Sequence, residues 1–375
     1  MAHKAVADTD AMSRTAQAAV FVAPNQPFAM QEFPLRPVEA DEALVRITMS
    51  TICRSDIHSW EGKRHNPTPG ILGHEIIGTI EQLGQDLGPD MRGATLREGD
   101  RITWTEFFYC GTCYYCRILD MPQKCVQLRK YGHDPADISP HLLGGFAEYC
   151  YLLPGTGIVG LPSELADEEA TPLNCGVATM VSVTEQAEIG VGETVVVQGL
   201  GLLGLYGVAL ARARGARTVI GLDAIPSRRD MAQRFGADLV FDIGAMTPDE
   251  IVTAVRDACP PDGPDVVVEV CGVPAVLPQG LAMLRKGGRY VIAGIVFPNA
   301  DVTLDANAIL SKWITVRGNH NYHPRHLVQA LDFVARNRAA LPFKDIVDSQ
   351  FALADLDTAF ARAADRQVLR AAIVP

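Results

Sequence analysis

No run in the 375-residue chain approaches the roughly 18 consecutive apolar residues of a membrane span, which argues against a membrane-embedded protein. The first fifteen residues, with Lys4, Asp8, Asp10 and Arg14 among alanines, lack the apolar core of a secretion signal. They read as a loose tail, residues 1–16, of a cytoplasmic protein. Basic residues are in deficit, with 33 Lys+Arg against 44 Asp+Glu and a net charge of −11. A field of that sign repels phosphate backbones and disfavours nucleic acid as a partner. Glycine (33) and proline (24) show no repeat, which excludes collagen-like and low-complexity chains. What remains is ordinary globular composition, 48% hydrophobic and 21% charged, in a chain long enough for two domains.

A disulfide framework is also missing. Nine cysteines are an odd number, and without a secretion signal they read as thiols. Four of them crowd into sixteen positions as C-x2-C-x2-C-x8-C: Cys110, Cys113, Cys116 and Cys125. That spacing brings four thiolates within reach of one tetrahedral zinc, a closed site whose role is to hold a loop in shape. The competing readings are four unrelated buried thiols, which the regular spacing disfavours, and a zinc-ribbon nucleic-acid module, which the acidic charge disfavours. Cys150, Cys259 and Cys271 fall in strand- or helix-like segments and read as packing residues.

Short alternating apolar runs up to about Leu161, among them 43–53, 75–84 and 100–107, predict a compact β domain. After about Cys175 the pattern changes to six short apolar runs, most of them separated by helical stretches such as 202–214, 227–235 and 248–258. This predicts an α/β fold with a doubly wound, six-stranded parallel sheet. A later helical stretch, 324–336, and the terminal apolar run are expected to return to the first domain.

Within the second half, Gly199-Leu200-Gly201-Leu202-Leu203-Gly204 follows a β-branched run and opens a helical pattern. An acid, Asp223, closes the next strand nineteen residues past Gly204. In this context the motif is a dinucleotide fingerprint. Gly199 permits the turn, Gly201 admits a pyrophosphate and Gly204 lets the helix pack closely, while Leu202 and Leu203 open the helix whose N–H groups face the phosphates. Asp223 favours NAD over NADP by accepting from ribose hydroxyls and repelling a 2′-phosphate. Arg228 and Arg229, just beyond, weaken that preference.

Cys53, His74 and Cys175 form a second set of metal-ligand residue types, two thiolates and an imidazole, with the open fourth position of a catalytic zinc. Spacing alone does not assemble them. However, Cys53-Arg54-Ser55-Asp56 with His58, Gly73-His74-Glu75, the cysteine lobe, Cys175 and the glycine fingerprint occur in the order seen in zinc-containing medium-chain alcohol dehydrogenases, which the chain resembles over residues 17–375. The resemblance implies a GroES-like catalytic domain at 17–175 with its structural zinc lobe at 108–127, a Rossmann domain at 176–318 and a return to the catalytic domain at 319–375. It also implies two zinc ions, NAD, and a homodimer or homotetramer.

Position by position, the resemblance makes Cys53, His74 and Cys175 the catalytic zinc ligands, with Glu75 a nearby carboxylate and occasional ligand. Asp56 would orient the histidine, and Ser55 and His58 would form a proton relay. Thr179 would lie beside the nicotinamide and Arg370 would meet the pyrophosphate. The usual gap between the third and fourth lobe cysteines is seven residues and here is eight, which makes Cys125 the departure to watch. The implied reaction is reversible hydride transfer between NAD and a small-molecule alcohol, giving an aldehyde or ketone. The alternative is a nucleotide-binding sensor or structural protein using zinc only to fold, against which Ser55 and His58 argue.

The pocket is harder to read. Trp60, Phe107, Tyr109 and the 131–133 segment are candidate walls. The polar segment 317–325 is similar to subgroups linked to phosphonate catabolism and to cyclic terpenoid alcohols, so a secondary or cyclic alcohol, or one bearing an anionic group, is the expected substrate. His133, His141, His320, His323 and His326 show no partner in the sequence and read as structural.

Overall fold

The computed structural model describes residues 14–375. Most of the tail expected at 1–16 lies outside the described residues, but Thr15 and Ala16 already belong to the strand Thr15–Phe21. Side chains there alternate between exposed and buried before the strand sinks into the core, so residues 15 and 16 belong to the fold and not to a tail.

Six strands form the parallel sheet of the second half: β1 (Thr194–Gln198), β2 (Thr218–Asp223), β3 (Leu239–Asp242), β4 (Val266–Glu269), β5 (Arg289–Ile292) and β6 (Thr315–Gly318). Their order is β3-β2-β1-β4-β5-β6, all parallel. The central strands β1 and β4 are buried at every residue, because helices cover both faces. The order reverses between β1 and β4, and a crevice opens there at the strands' carboxyl ends, where ligands of such sheets bind.

The first half folds around antiparallel strands. Ala43–Thr51 pairs with Glu75–Leu83, which pairs with Arg101–Phe108. The terminal strand Ala371–Val374 pairs antiparallel with Ala43–Thr51, setting Ala372 opposite Thr51. The chain therefore returns to its first half at its last residues. The helix Gly176–Gln186 packs against both Leu202–Ala213 and Arg325–Asn337. The last of these helices buries Leu327, Ala330, Leu331 and Val334 along one stripe, the spacing of an amphipathic helix.

Candidate active site and metal centres

Cys53 stands at the N-cap of the short helix Arg54–Trp60, just past the strand Ala43–Thr51. The first-turn acid Asp56 is fully buried and holds the site together. Its Oδ2 accepts from the Cys53 N–H at 2.8 Å, and its Oδ1 accepts from the Gly73 N–H at 3.2 Å. The same Oδ1 lies 3.2 Å from His74 Nδ1, which leaves Nε2 to face the thiols. Ser55 Oγ sits 3.3 Å from that Nε2. Cys175 arrives from the start of the helix Gly176–Gln186, and the preceding Asn174 anchors it by donating from its side chain to the His74 carbonyl at 2.9 Å.

The Cys53 and Cys175 sulfurs are 4.0 Å apart, and they and a His74 ring nitrogen all lie within 4.8 Å of one another. Tetrahedral zinc with bonds of about 2.3 Å to sulfur sets sulfurs about 3.8 Å apart. Hydrogen bonding to the Cys175 thiol holds Cys53 well below the usual thiol range, while the same contact and burial push Cys175 well above it. Two thiols at this distance cannot both ionise unless a cation compensates them, so the donor set fits a divalent zinc.

Glu75 does not join that group of ligand atoms. It is completely buried, its Oε2 accepts from the Thr51 hydroxyl, and Arg370 Nη1 lies 3.5 Å away. Burial pushes its carboxyl up to about 7. Arg370 also donates to the Ile52 carbonyl at 2.6 Å while lining a cleft along the glycine loop. The returning strand Ala371–Val374 puts it there.

In the cysteine lobe all four sulfurs lie within 4.8 Å of one another. Cys125 Sγ is 3.4 Å from Cys110 Sγ and 3.9 Å from Cys113 Sγ, and Cys113 Sγ is 3.4 Å from Cys116 Sγ. The eight-residue gap before Cys125 still brings its sulfur to the other three. Backbone N–H groups of Cys110, Cys113 and Gln127 donate onto these sulfurs, and such donors stabilise thiolates. Bonding to the Thr112 N–H leads in drawing the Cys110 thiol down to about 6.

A cleft of about 310 Å³ runs along the glycine loop, bordered by Gly199, Gly201, Asp223, Arg228 and Arg370. Gly199 holds φ +96°, and an added Cβ would lie 2.6 Å from that of Cys271. A Cβ on Gly204 would lie 1.9 Å from the Gly199 carbonyl oxygen, so close packing alone demands glycine. Gly201 N-caps the helix Leu202–Ala213 without a side-chain cap, leaving first-turn N–H groups for an anion. Asp223 accepts from the Leu200 and Ile225 N–H groups at 2.8 and 2.9 Å, and Arg228 Nη1 approaches it to 3.8 Å.

A second cavity of about 140 Å³ contains the Cys53–His74–Cys175 cluster and is also bordered by Ser55, His58 and Thr179. The two cavities share Arg54, Leu203, Val270 and Cys271. Cys271 is thus an exposed cleft residue rather than a packing residue, because the chain turns out of the sheet just after β4. Cys150 and Cys259 are buried.

Of the candidate walls only His133 borders the cavity. Phe107 packs on Tyr322, Trp60 on Phe360, and buried Tyr131 bonds the Thr156 hydroxyl at 2.6 Å, so their bulk serves the cores instead. Tyr109 packs against the main core. All five histidines that lacked a partner in the sequence have one in the fold. His133 Nδ1 meets Asn66 Oδ1 at 2.5 Å and its ring stacks on His74, and His320 Nδ1 lies 2.9 Å from Lys124 Nζ. His141 meets the Ala136 carbonyl, His323 meets Asp120, and His326 lies 3.5 Å from Glu185. The two that reading along the chain undervalued are His133 and His320, which border the cavity.

Sequence reasoning missed Arg64, Glu106 and Lys130, which also border it, whereas Asn319 and Asn321 come from the polar segment 317–325 that it singled out. Glu106 Oε2 lies 4.0 Å from His74 Nε2, and Lys130 Nζ donates to Glu106 Oε1 at 3.3 Å. The overlooked signal was a carboxylate inside the apolar strand Arg101–Phe108.

Comparison with known proteins bears on both halves. Residues 39–163 match the family described as alcohol dehydrogenase GroES-like domain, and residues 203–336 match zinc-binding dehydrogenase. The 5-exo-hydroxycamphor dehydrogenase of Pseudomonas putida is 30% identical over 341 residues, covering 90% of this chain and 92% of its own. An alcohol dehydrogenase from Thermotoga maritima superposes with a TM-score of 0.90 at 29% identity, covering 96% of this chain and all of its own. A zinc-binding dehydrogenase from Sinorhizobium meliloti, solved with NADP, gives 0.85 at 25% identity with the same coverage.

Proposed function

From this chain's membership of the zinc-containing medium-chain alcohol dehydrogenase family, we propose that it catalyses reversible hydride transfer between NAD and a secondary alcohol. The observation that carries this is the meeting of the two cavities, which sets the Cys53–His74–Cys175 cluster at the end of the nucleotide cleft. Two zinc ions are assigned, one to that cluster and one to the cysteine lobe. NAD is preferred because the Asp223 carboxylate closes the ribose end of the cleft, although Arg228 beside it reduces the discrimination.

Zinc held by Cys53, His74 and Cys175 would supply a Lewis acid for the carbinol or carbonyl oxygen. The chain's own residues do the rest. Asp56 fixes the His74 ring, and Ser55, next to its Nε2, takes the carbinol proton. His58 passes that proton outward; burial keeps its pKa below 6.5, so it is neutral and able to accept at pH 7. Thr179 borders the metal-site cavity and Leu203 borders both cavities, and together they would flank the nicotinamide. Glu75 and Arg370 form a buried pair behind the cluster. We assign a homo-oligomer in a reducing, cytoplasmic setting, on the basis of the unpaired thiols and an uncovered edge strand.

The test is NAD- and NADP-linked absorbance turnover over primary, secondary, cyclic and acid-bearing alcohols, before and after chelation. Chelator-sensitive turnover with NAD is expected. Cys175→Ser should fold, keep the lobe zinc, lose one equivalent of metal and lose at least about 100-fold in turnover. Normal turnover in that variant would sink the reading.

A further inference from the structure

We propose that Arg64 is the specificity-determining residue of the cavity and reads an oxyanion, a carboxylate or phosphonate, on the alcohol substrate. This rests on the reading of the cavity as the carbinol site.

The cavity wall combines the apolar side chains of Leu203, Val270, Ala293 and Val296 with a polar set. That set includes Arg64, Glu106, Lys130, His133 and the segment Asn319–Asn321. Its charges do not cancel. Lys130 is committed, donating to Glu106 at 3.3 Å and to Asn321 Oδ1 at 2.5 Å. Glu106 therefore balances Lys130 and leaves Arg64 over. Among the described residues no carboxylate lies within ion-pair distance of Arg64.

Arg64 is held in place by its backbone. Its N–H donates to the His58 carbonyl at 3.1 Å, in the turn that ends the helix carrying the relay. One surplus guanidinium in a half-enclosed cavity fits one anionic group, bound through paired N–H donors. Arg54 is also without a carboxylate partner among the described residues, but it borders the glycine-loop cleft as well and is not confined to this cavity. The arginines of the polar segment 317–325 point elsewhere: Arg317 pairs with Glu188 at 2.6 Å, and Arg325 pairs with Glu185.

The experiment compares 3-hydroxybutyrate with its uncharged methyl ester, and 2-hydroxypropylphosphonate with 2-butanol, in wild type, Arg64→Met and Arg64→Lys. Each acid should exceed its neutral counterpart in kcat/KM by about tenfold or more, mainly through KM. Arg64→Met should abolish that ratio and Arg64→Lys should restore part of it. The phosphonate and carboxylate arms decide which oxyanion fits better. Calorimetric titration of 3-hydroxybutyrate and of its ester into zinc-loaded protein with NADH reads the same subsite without turnover. Equal binding of acid and ester, or acid binding unaffected by Arg64→Met, overturns the proposal. Loss of the subsite leaves chelator-sensitive oxidation of uncharged alcohols intact, whereas failure of the dehydrogenase reading removes all turnover and leaves the calorimetry to decide.

Discussion

In the proposed relay, His58 is the residue whose environment sets the pH response. Only 8% exposed, it is held below its ordinary pKa of 6.5 first by burial and then by the Arg54 charge, while Glu61 at 3.5 Å opposes the shift. Phe297, from beyond β5, covers the ring edge-on at 5.3 Å. Because the neutral ring accepts the proton, alcohol oxidation should fall only as pH drops through that lowered value, so the acid limb lies below 6.5. In His58→Gln that limb should vanish and kcat/KM at pH 7 should fall by about 100-fold, with zinc content unchanged. A pH–rate profile of both proteins checks this, and an unmoved limb would remove His58 from the relay.

At the level of elements, the glycine loop and the cysteine lobe are local devices whose geometry follows from adjacent residues. In the loop, the helix Leu202–Ala213 starts so close to the turn that a methyl group at Gly204 would meet the Gly199 carbonyl at 1.9 Å. That contact is with backbone and cannot be relieved by a side-chain rotation. Gly204→Ala should therefore displace the helix start and weaken NADH binding by about tenfold or more, with both metal sites still filled. Fluorescence titration of NADH with parallel metal analysis would test it. The lobe shows the complementary lesson: an eight-residue gap before Cys125 still leaves its sulfur 3.4 Å from that of Cys110.

For the whole molecule, β6 is an edge of the six-stranded sheet, and the residues leading into it leave Trp313 86% and Leu310 77% exposed. An uncovered edge with large apolar side chains is a template for pairing with another copy. Light scattering after size exclusion should give at least twice the chain mass for the wild type. Leu310→Lys with Trp313→Lys should move it to the monomer, with the fold intact by circular dichroism. A wild-type protein that is monomeric at micromolar concentration would refute the assignment of this edge.

The six parallel strands, the glycine loop and the four-cysteine lobe were legible along the chain, because each depends on hydrophobic period or on residues a few positions apart. The Cys53–His74–Cys175 cluster was different in kind. It spans 122 residues from first to last, and nothing in its spacing assembles it, so the family resemblance had to name it. Tertiary structure alone brought Arg370 behind that cluster, through a strand that returns to pair with Ala43–Thr51. It also decided the cavity wall. Glu106 sits in a strand buried on both faces from Ile102 onward, so alternation could not reveal that it turns toward Lys130 and His74. Of the aromatic residues that looked like pocket walls, Phe107 and Tyr131 went into the cores and Trp60 and Tyr109 pack against them, where their larger apolar area gains more from burial. Periodicity records which residues leave water, but only the closed fold determines which of them meet.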